Sequence, residues 1–123
     1  MYEDLNNKKV LITGSSSGIG LEIAKEFSST GSLIVLNGRN KNKLKKAGKN
    51  IYNSKILCGN VEDPKTAKKI VNKAVSLLNG LDIIVCNVGG GKSAKPGYEN
   101  YRDWLASFKK NFFSMTNIIE ASK

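Results

Sequence analysis

The segment Val10-Leu11-Ile12-Thr13-Gly14-Ser15-Ser16-Ser17-Gly18-Ile19-Gly20 holds the residues best suited to chemistry in this 123-residue chain. A short apolar run passes through small residues into a helical pattern. Gly14 lets the chain turn, Gly18 leaves room for a phosphate near the backbone, and Gly20 lets the helix lie close on the strand. A helix starting there aims free N–H groups and the positive end of its dipole at an anion. The chemistry is the gripping of a pyrophosphate by Gly14, Ser16, Ser17, Gly18, Ile19 and Gly20. A glycine-rich turn between strand and helix with no ligand shows the same local pattern, so the neighbouring positions have to decide.

Leu36-Asn37-Gly38-Arg39-Asn40 closes the second apolar run. A dinucleotide site chooses its cofactor at this place: a carboxylate holds the ribose hydroxyls of NAD, and an arginine neutralises the 2′-phosphate of NADP. The segment has no carboxylate. Arg39, followed by the lysines of the next helix, favours NADP(H) over NAD(H); the plain alternative is a solvated surface arginine.

The elements that position these residues alternate between strand-like and helix-like runs. Strands are expected at Val10–Thr13, Leu33–Leu36 (stopped by Asn37-Gly38), Lys55–Cys58 and Leu81–Cys86. Ile19, Ile23 and Phe27 suggest a helix from Gly18 to Thr30-Gly31, where glycine suits a left-handed cap. Lys41–Ala47 reads as a short basic helix with Leu44 and Ala47 inward, closed by Gly48. Asp63-Pro64 starts a third helix carrying Ala67, Ile70, Val71, Ala74, Leu77 and Leu78 on one stripe, capped by Asn79-Gly80. A glycine-rich loop, Asn87–Asn100, precedes a last helix from Tyr101 or Arg102 onward. There Leu105, Phe108, Phe112, Met115 and Ile119 form one apolar stripe, and Phe113 and Ile118 lie off it. Strands apolar on both faces, alternating with helices, imply a parallel sheet covered on both sides, within one domain spanning 1–123.

Composition removes other classes. The chain has no histidine, so Ser-His-Asp and Cys-His catalysis and His-containing zinc sites have no basis in it. Cys58 and Cys86 are too few for a Cys-only zinc site; in apolar runs they read as reduced core thiols of a cytoplasmic protein. No metal site is expected. No apolar run approaches the roughly 18 residues of a membrane span, and the acidic start Met1-Tyr2-Glu3-Asp4 is unlike a signal peptide. The net charge is +10, yet residues 1–62 and 63–123 share it equally, and lysine supplies all but two of the 20 basic residues. Without a localised basic patch, nucleic acid is not expected as a partner.

Thr13-Gly14-Ser15-Ser16-Ser17-Gly18-Ile19-Gly20 resembles the cofactor fingerprint of the short-chain dehydrogenase/reductase family. Further positions extend the resemblance. Asn60-Val61 stands where the family has Asp-Val beside adenine. Cys86-Asn87-Val88-Gly89 resembles the family's Asn-Asn-Ala-Gly turn, matching at Asn87 and Gly89. Asn111 resembles the active-site helix asparagine that helps hold a water in the proton relay. The resemblance implies a Rossmann-type doubly wound parallel α/β sheet, truncated to four strands in the order 3-2-1-4 with four helices. It implies an NADP(H)-dependent oxidoreductase acting on a carbonyl or alcohol, of which this chain is the cofactor-binding half. The family's catalytic Tyr-x-x-x-Lys pair is not found: no tyrosine here has lysine four residues on. Tyr98, with Arg102 at that spacing, and Tyr101 read as loop and helix-entry packing. The alternative is a non-catalytic nucleotide-binding or scaffold protein. Its fourth strand, an apolar open edge, and its last helix would pair with a second chain or another copy.

Overall fold

The computed structural model describes residues 3–90 and 94–123. Strands β1 (Lys9–Ile12), β2 (Leu33–Gly38), β3 (Ser54–Cys58) and β4 (Ile83–Val85) form one parallel sheet in the order β3-β2-β1-β4. Helices α1 (Gly18–Ser29), α2 (Lys41–Lys49) and α3 (Pro64–Leu78) make the crossovers. The last helical segment has three parts: α4 (Tyr101–Phe108), a π-helical turn (Lys109–Phe113) and α5 (Ser114–Ala121). A short 3-10 turn, Glu3–Leu5, precedes β1.

Alternation along the central strands builds two cores. Val10 and Ile12 share one face with Ile34 and Leu36, and meet Ala24 of α1 with Leu44 and Ala47 of α2. Leu11 and Val35 face the other way and meet Ala67, Ile70, Val71, Ala74 and Leu78 of α3, with Ile118 of α5. These strands are covered on both faces, which is why they read as unbroken apolar runs.

The expected strand limits shift by a few residues. β2 runs on through Asn37 and Gly38, because both pair with β3, opposite Leu57 and Cys58. β4 is shorter than Leu81–Cys86: only Ile83–Val85 find a ladder partner on β1, and all three stay half-buried because, among the described residues, no strand pairs with their outer edge. Cys58 and Cys86 are exposed rather than core thiols, since each sits at the end of an edge strand. Protein around Cys86 still withdraws enough water to push its thiol pKa up.

Helix phases also differ. On α1 the buried residues are Gly20 and Ala24, while Ile19 is 74% exposed. Leu77 of α3 is exposed beside buried Leu78. α2 continues past Gly48 to Lys49 and ends at Asn50. Tyr98 and Tyr101 are exposed and pack into no core; Tyr98 lies under the Lys95 ammonium, 5.3 Å from the ring centroid. In the last helical segment the stripe residues Phe108, Phe112, Met115 and Ile119 are exposed, whereas Ser114 and off-stripe Ile118 are buried. The π turn accounts for the residues that follow it: one extra residue rotates α5 by about 100° against α-helical phase, so Ser114 and Ile118 face inward and Met115 and Ile119 outward. Gly91, Lys92 and Ser93 of the expected loop, with Met1 and Tyr2 of the acidic start, lie outside the described residues.

Asp63 caps α3 as its sequence suggests, accepting the Thr66 N–H at 2.9 Å and the Thr66 hydroxyl at 2.8 Å. These bonds hold the carboxyl pKa below its ordinary value, the hydroxyl bond contributing most. A lowered native pKa means that the unfolded chain takes the proton first. The stabilisation is therefore present above the ordinary carboxylate range and lost as pH falls through the lowered native value. Asp63→Ala is expected to lower the melting temperature at pH 7. The gap from the unsubstituted chain should narrow below about pH 4 in circular-dichroism melts.

Candidate functional site

Every strand delivers its carboxyl end to one cleft of about 250 Å³. Gly14, Ser16 and Ser17 come from the turn after β1, and Arg39 follows β2. Asn60 and Val61 follow β3; Asn87 and Gly89 follow β4. Of the residues singled out in the sequence, these eight share one wall. Gly18 and Ile19 instead border a broader apolar groove along α1, with Leu5, Ile23 and Phe27. Gly20 lines neither.

The first turn is held from both sides. Gly14 takes φ +63°, a left-handed conformation that disfavours a side chain. Its carbonyl accepts the Asn87 side-chain amide at 3.0 Å. The Thr13 N–H donates to the Val85 carbonyl at 3.0 Å, and the Thr13 hydroxyl accepts the Asn87 N–H at 3.1 Å. Asn87 thereby ties the end of β4 to the turn after β1. Ser15, which sequence reasoning passed over, is fully buried. Its N–H donates to the Asn37 carbonyl at 2.9 Å, and its hydroxyl accepts the Asn37 N–H at 3.0 Å. A serine among serines carries no sequence signal for this role.

Gly20 has no space for a side chain. A Cβ there would run into the Gly14 carbonyl and the Asn87 amide. At Gly18, φ is +59° and a Cβ would meet nothing within 4 Å, so the space above it is open. The start of α1 is also unlike those of α2, α3 and α4. Asn40, Asp63 and Asn100 each accept a first-turn N–H with their side chains, whereas Ser17 makes no such bond. The first N–H groups of α1 lack a side-chain cap and are available to an anion.

Asn37 lies in the wall of the cleft, 1% exposed. Its amide donates to the Leu57 and Gly59 carbonyls at 2.9 and 3.2 Å, leaving its Oδ1 buried with no partner. Asn60 uses its own Oδ1 to accept the Glu62 N–H at 3.0 Å, and Val61 is buried against α3. Asn111 does not line the cleft but abuts it. Its Oδ1 accepts the Gly90 N–H at 2.8 Å, and its amide donates to the Gly90 and Ser107 carbonyls at 3.0 Å. It thus braces the loop after β4 from within the π turn. Lys110 of the same turn lines the cleft and adds a cation to it.

No carboxylate follows β2 in sequence, yet the fold supplies one from the next strand end: Glu62 Oε2 lies 4.0 Å from Arg39 Nη1. The two residues are far apart in sequence, and only the β2–β3 pairing brings them together. Among the described residues, no group of three or more Cys, Asp or Glu side chains is arranged to hold a metal ion, and no helix is long and apolar enough to cross a membrane.

An open parallel sheet with a glycine turn and a helix N-terminus over its carboxyl ends defines the Rossmann-type class of folds. The model of the family described as "short chain dehydrogenase" matches residues 8–122, and the chain belongs to that family. It is 34% identical over 94 residues to glucose 1-dehydrogenase of Gluconobacter oxydans, covering 72% of this chain and 35% of that protein. It is 39% identical over 87 residues to the 3-oxoacyl-[acyl-carrier-protein] reductase FabG of Rickettsia conorii, covering 70% and 34%. A hydroxysteroid 11-beta-dehydrogenase 1-like protein of Xenopus tropicalis is 31% identical over 130 residues, covering 98% and 44%. The chain thus spans less than half the length of these relatives. A short-chain type dehydrogenase/reductase of Mycobacterium marinum shares the fold, with a TM-score of 0.90 at 22% identity over 96% of this chain and 49% of that structure.

Proposed function

We propose that residues 1–123 form the dinucleotide-binding domain of a short-chain oxidoreductase that prefers NADP(H) to NAD(H). The observation that carries this reading is the cleft over the carboxyl ends of the strands, lined both by Ser17, the N-cap of α1 that makes no side-chain capping bond, and by Arg39. The first N–H groups of α1 suit a pyrophosphate, and the open space over Gly18 leaves room for it. Arg39 would meet the 2′-phosphate, Asn60 and Val61 the adenine, and Asn87 and Gly89 the inner ribose. A bound nicotinamide would exchange hydride with a carbonyl or alcohol carbon. Asn111 would help hold a water for the accompanying proton transfer. The 123 residues contain no Tyr-x-x-x-Lys pair, so the chain alone is expected to show no steady carbonyl reduction.

Titration of the folded chain with NADPH and with NADH, followed by nicotinamide fluorescence, tests the reading. Saturable binding with NADPH the tighter ligand is the expected result. A folded sample that binds neither would overturn it. The exposed apolar stripe of α4 and α5 favours a second element of the proposal: this helical face and the β4 edge meet another copy or a second chain. A non-catalytic nucleotide-binding scaffold would use the same surfaces; activity appearing on addition of a chain that carries Tyr and Lys separates it from the enzyme.

A further inference from the structure

We infer that Glu62, which stands beside the cleft-lining Arg39 without lining the cleft itself, is a specificity-determining residue that works against that arginine, so that the preference for the phosphorylated cofactor is modest and both cofactors are accepted. The inference rests on the dinucleotide reading of the cleft given above.

The position of Glu62 is set by its backbone. Its N–H donates to Asn60 Oδ1 at 3.0 Å, and its carbonyl accepts the Asn117 side-chain amide at 3.0 Å. Its side chain is 19% exposed, against 64% for Arg39. The carboxylate is therefore the more buried partner and the guanidinium the more exposed one. At 4.0 Å their contact is at the long limit of an ion pair, and so loose and exposed a pair orients an arginine only weakly. What Glu62 contributes here is a negative charge beside the group meant to receive a phosphate.

The two cofactors meet that charge differently. A 2′-phosphate brings nearly two negative charges into the neighbourhood of a carboxylate and must share Arg39 with it. A 2′-hydroxyl is neutral and can donate a hydrogen bond to a carboxylate. One side chain thus penalises NADP(H) and tolerates NAD(H). The other charged residue lining the cleft, Lys110, belongs to the π turn and does not pair with Glu62 among the described ion pairs.

The test is a titration of the 123-residue chain and its Glu62→Gln variant with NADPH and NADH, at low and high salt. Glutamine keeps the shape and removes the charge. NADPH is expected to bind about threefold to tenfold tighter to the variant at low salt, with less gain at high salt. NADH is expected to bind equally or more weakly. A merely structural role for Glu62 would shift both cofactors by the same factor, and that result, or weaker NADPH binding, overturns the inference while leaving the cleft reading intact. Failure of both folded proteins to bind either cofactor overturns the cleft reading, and this inference with it.

Discussion

Gly20→Val is expected to abolish dinucleotide binding and to lower the melting temperature of the chain by roughly 10 °C or more. The reason is the closeness of α1 to the turn it leaves. A Cβ at position 20 would run into the Gly14 carbonyl, a backbone atom that β1 holds in place. It would also displace the Asn87 amide that bonds that carbonyl at 3.0 Å. The helix would have to lift off the strand, opening the core around Ala24 and Ile12 and separating the turn from the end of β4. Gly18→Ala is the matched comparison. That position is left-handed but spacious, so alanine there should cost only about 1–2 kcal/mol of backbone strain. Binding titrations alongside thermal melts separate the two: equal melting temperatures for the two variants would show that the close approach at Gly20 is not needed.

Arg39→Ala is expected to weaken NADPH binding about tenfold to thirtyfold and NADH binding less than about threefold, reversing the preference. Arg39 is exposed, its side chain makes only the long 4.0 Å contact with Glu62, and its carbonyl, which accepts the Cys58 thiol at 3.3 Å, survives the substitution, so its loss should leave the fold unchanged. With the arginine gone, Glu62 would oppose a 2′-phosphate without the guanidinium that stands 4.0 Å from it. Equal losses for both cofactors would place Arg39 elsewhere on the ligand; no loss for either would make it the solvated residue that its exposure also allows.

The sheet was legible in the sequence because burial on both faces leaves an uninterrupted apolar run, as at Val10–Ile12 and Leu33–Leu36. The start of α3 was legible too, because Asp63-Pro64 acts through local geometry. Asn37 was harder: a polar residue before glycine suggests a turn, but here its amide bridges the carbonyls of Leu57 and Gly59 inside the sheet. The last helix was misphased because periodicity assumes 3.6 residues per turn, and the π turn at Lys109–Phe113 breaks that count. The turn after β1 was legible from its glycine spacing together with the strand before it and the helix after it. Glu62 beside Arg39 did not announce itself, since their meeting depends on the register of β2 against β3.

The place of β1 in the middle of the sheet bears on how the chain acquires its structure. Every strand pairing is parallel, so none can form as a local hairpin. β1 is translated before the other strands, yet its ladder is complete only when β4 arrives; the Lys9 N–H bonds the Asp82 carboxylate across 73 residues. Such high contact order slows folding and couples its steps. The cleft is complete only once β4 is in place, because the Asn87 amide after it bonds the Gly14 carbonyl at 3.0 Å. In pulsed hydrogen exchange during refolding, the Asn87 and Thr13 amides, which bond between the end of β4 and the turn after β1, should therefore be protected no earlier than the β2 amides that pair with β3.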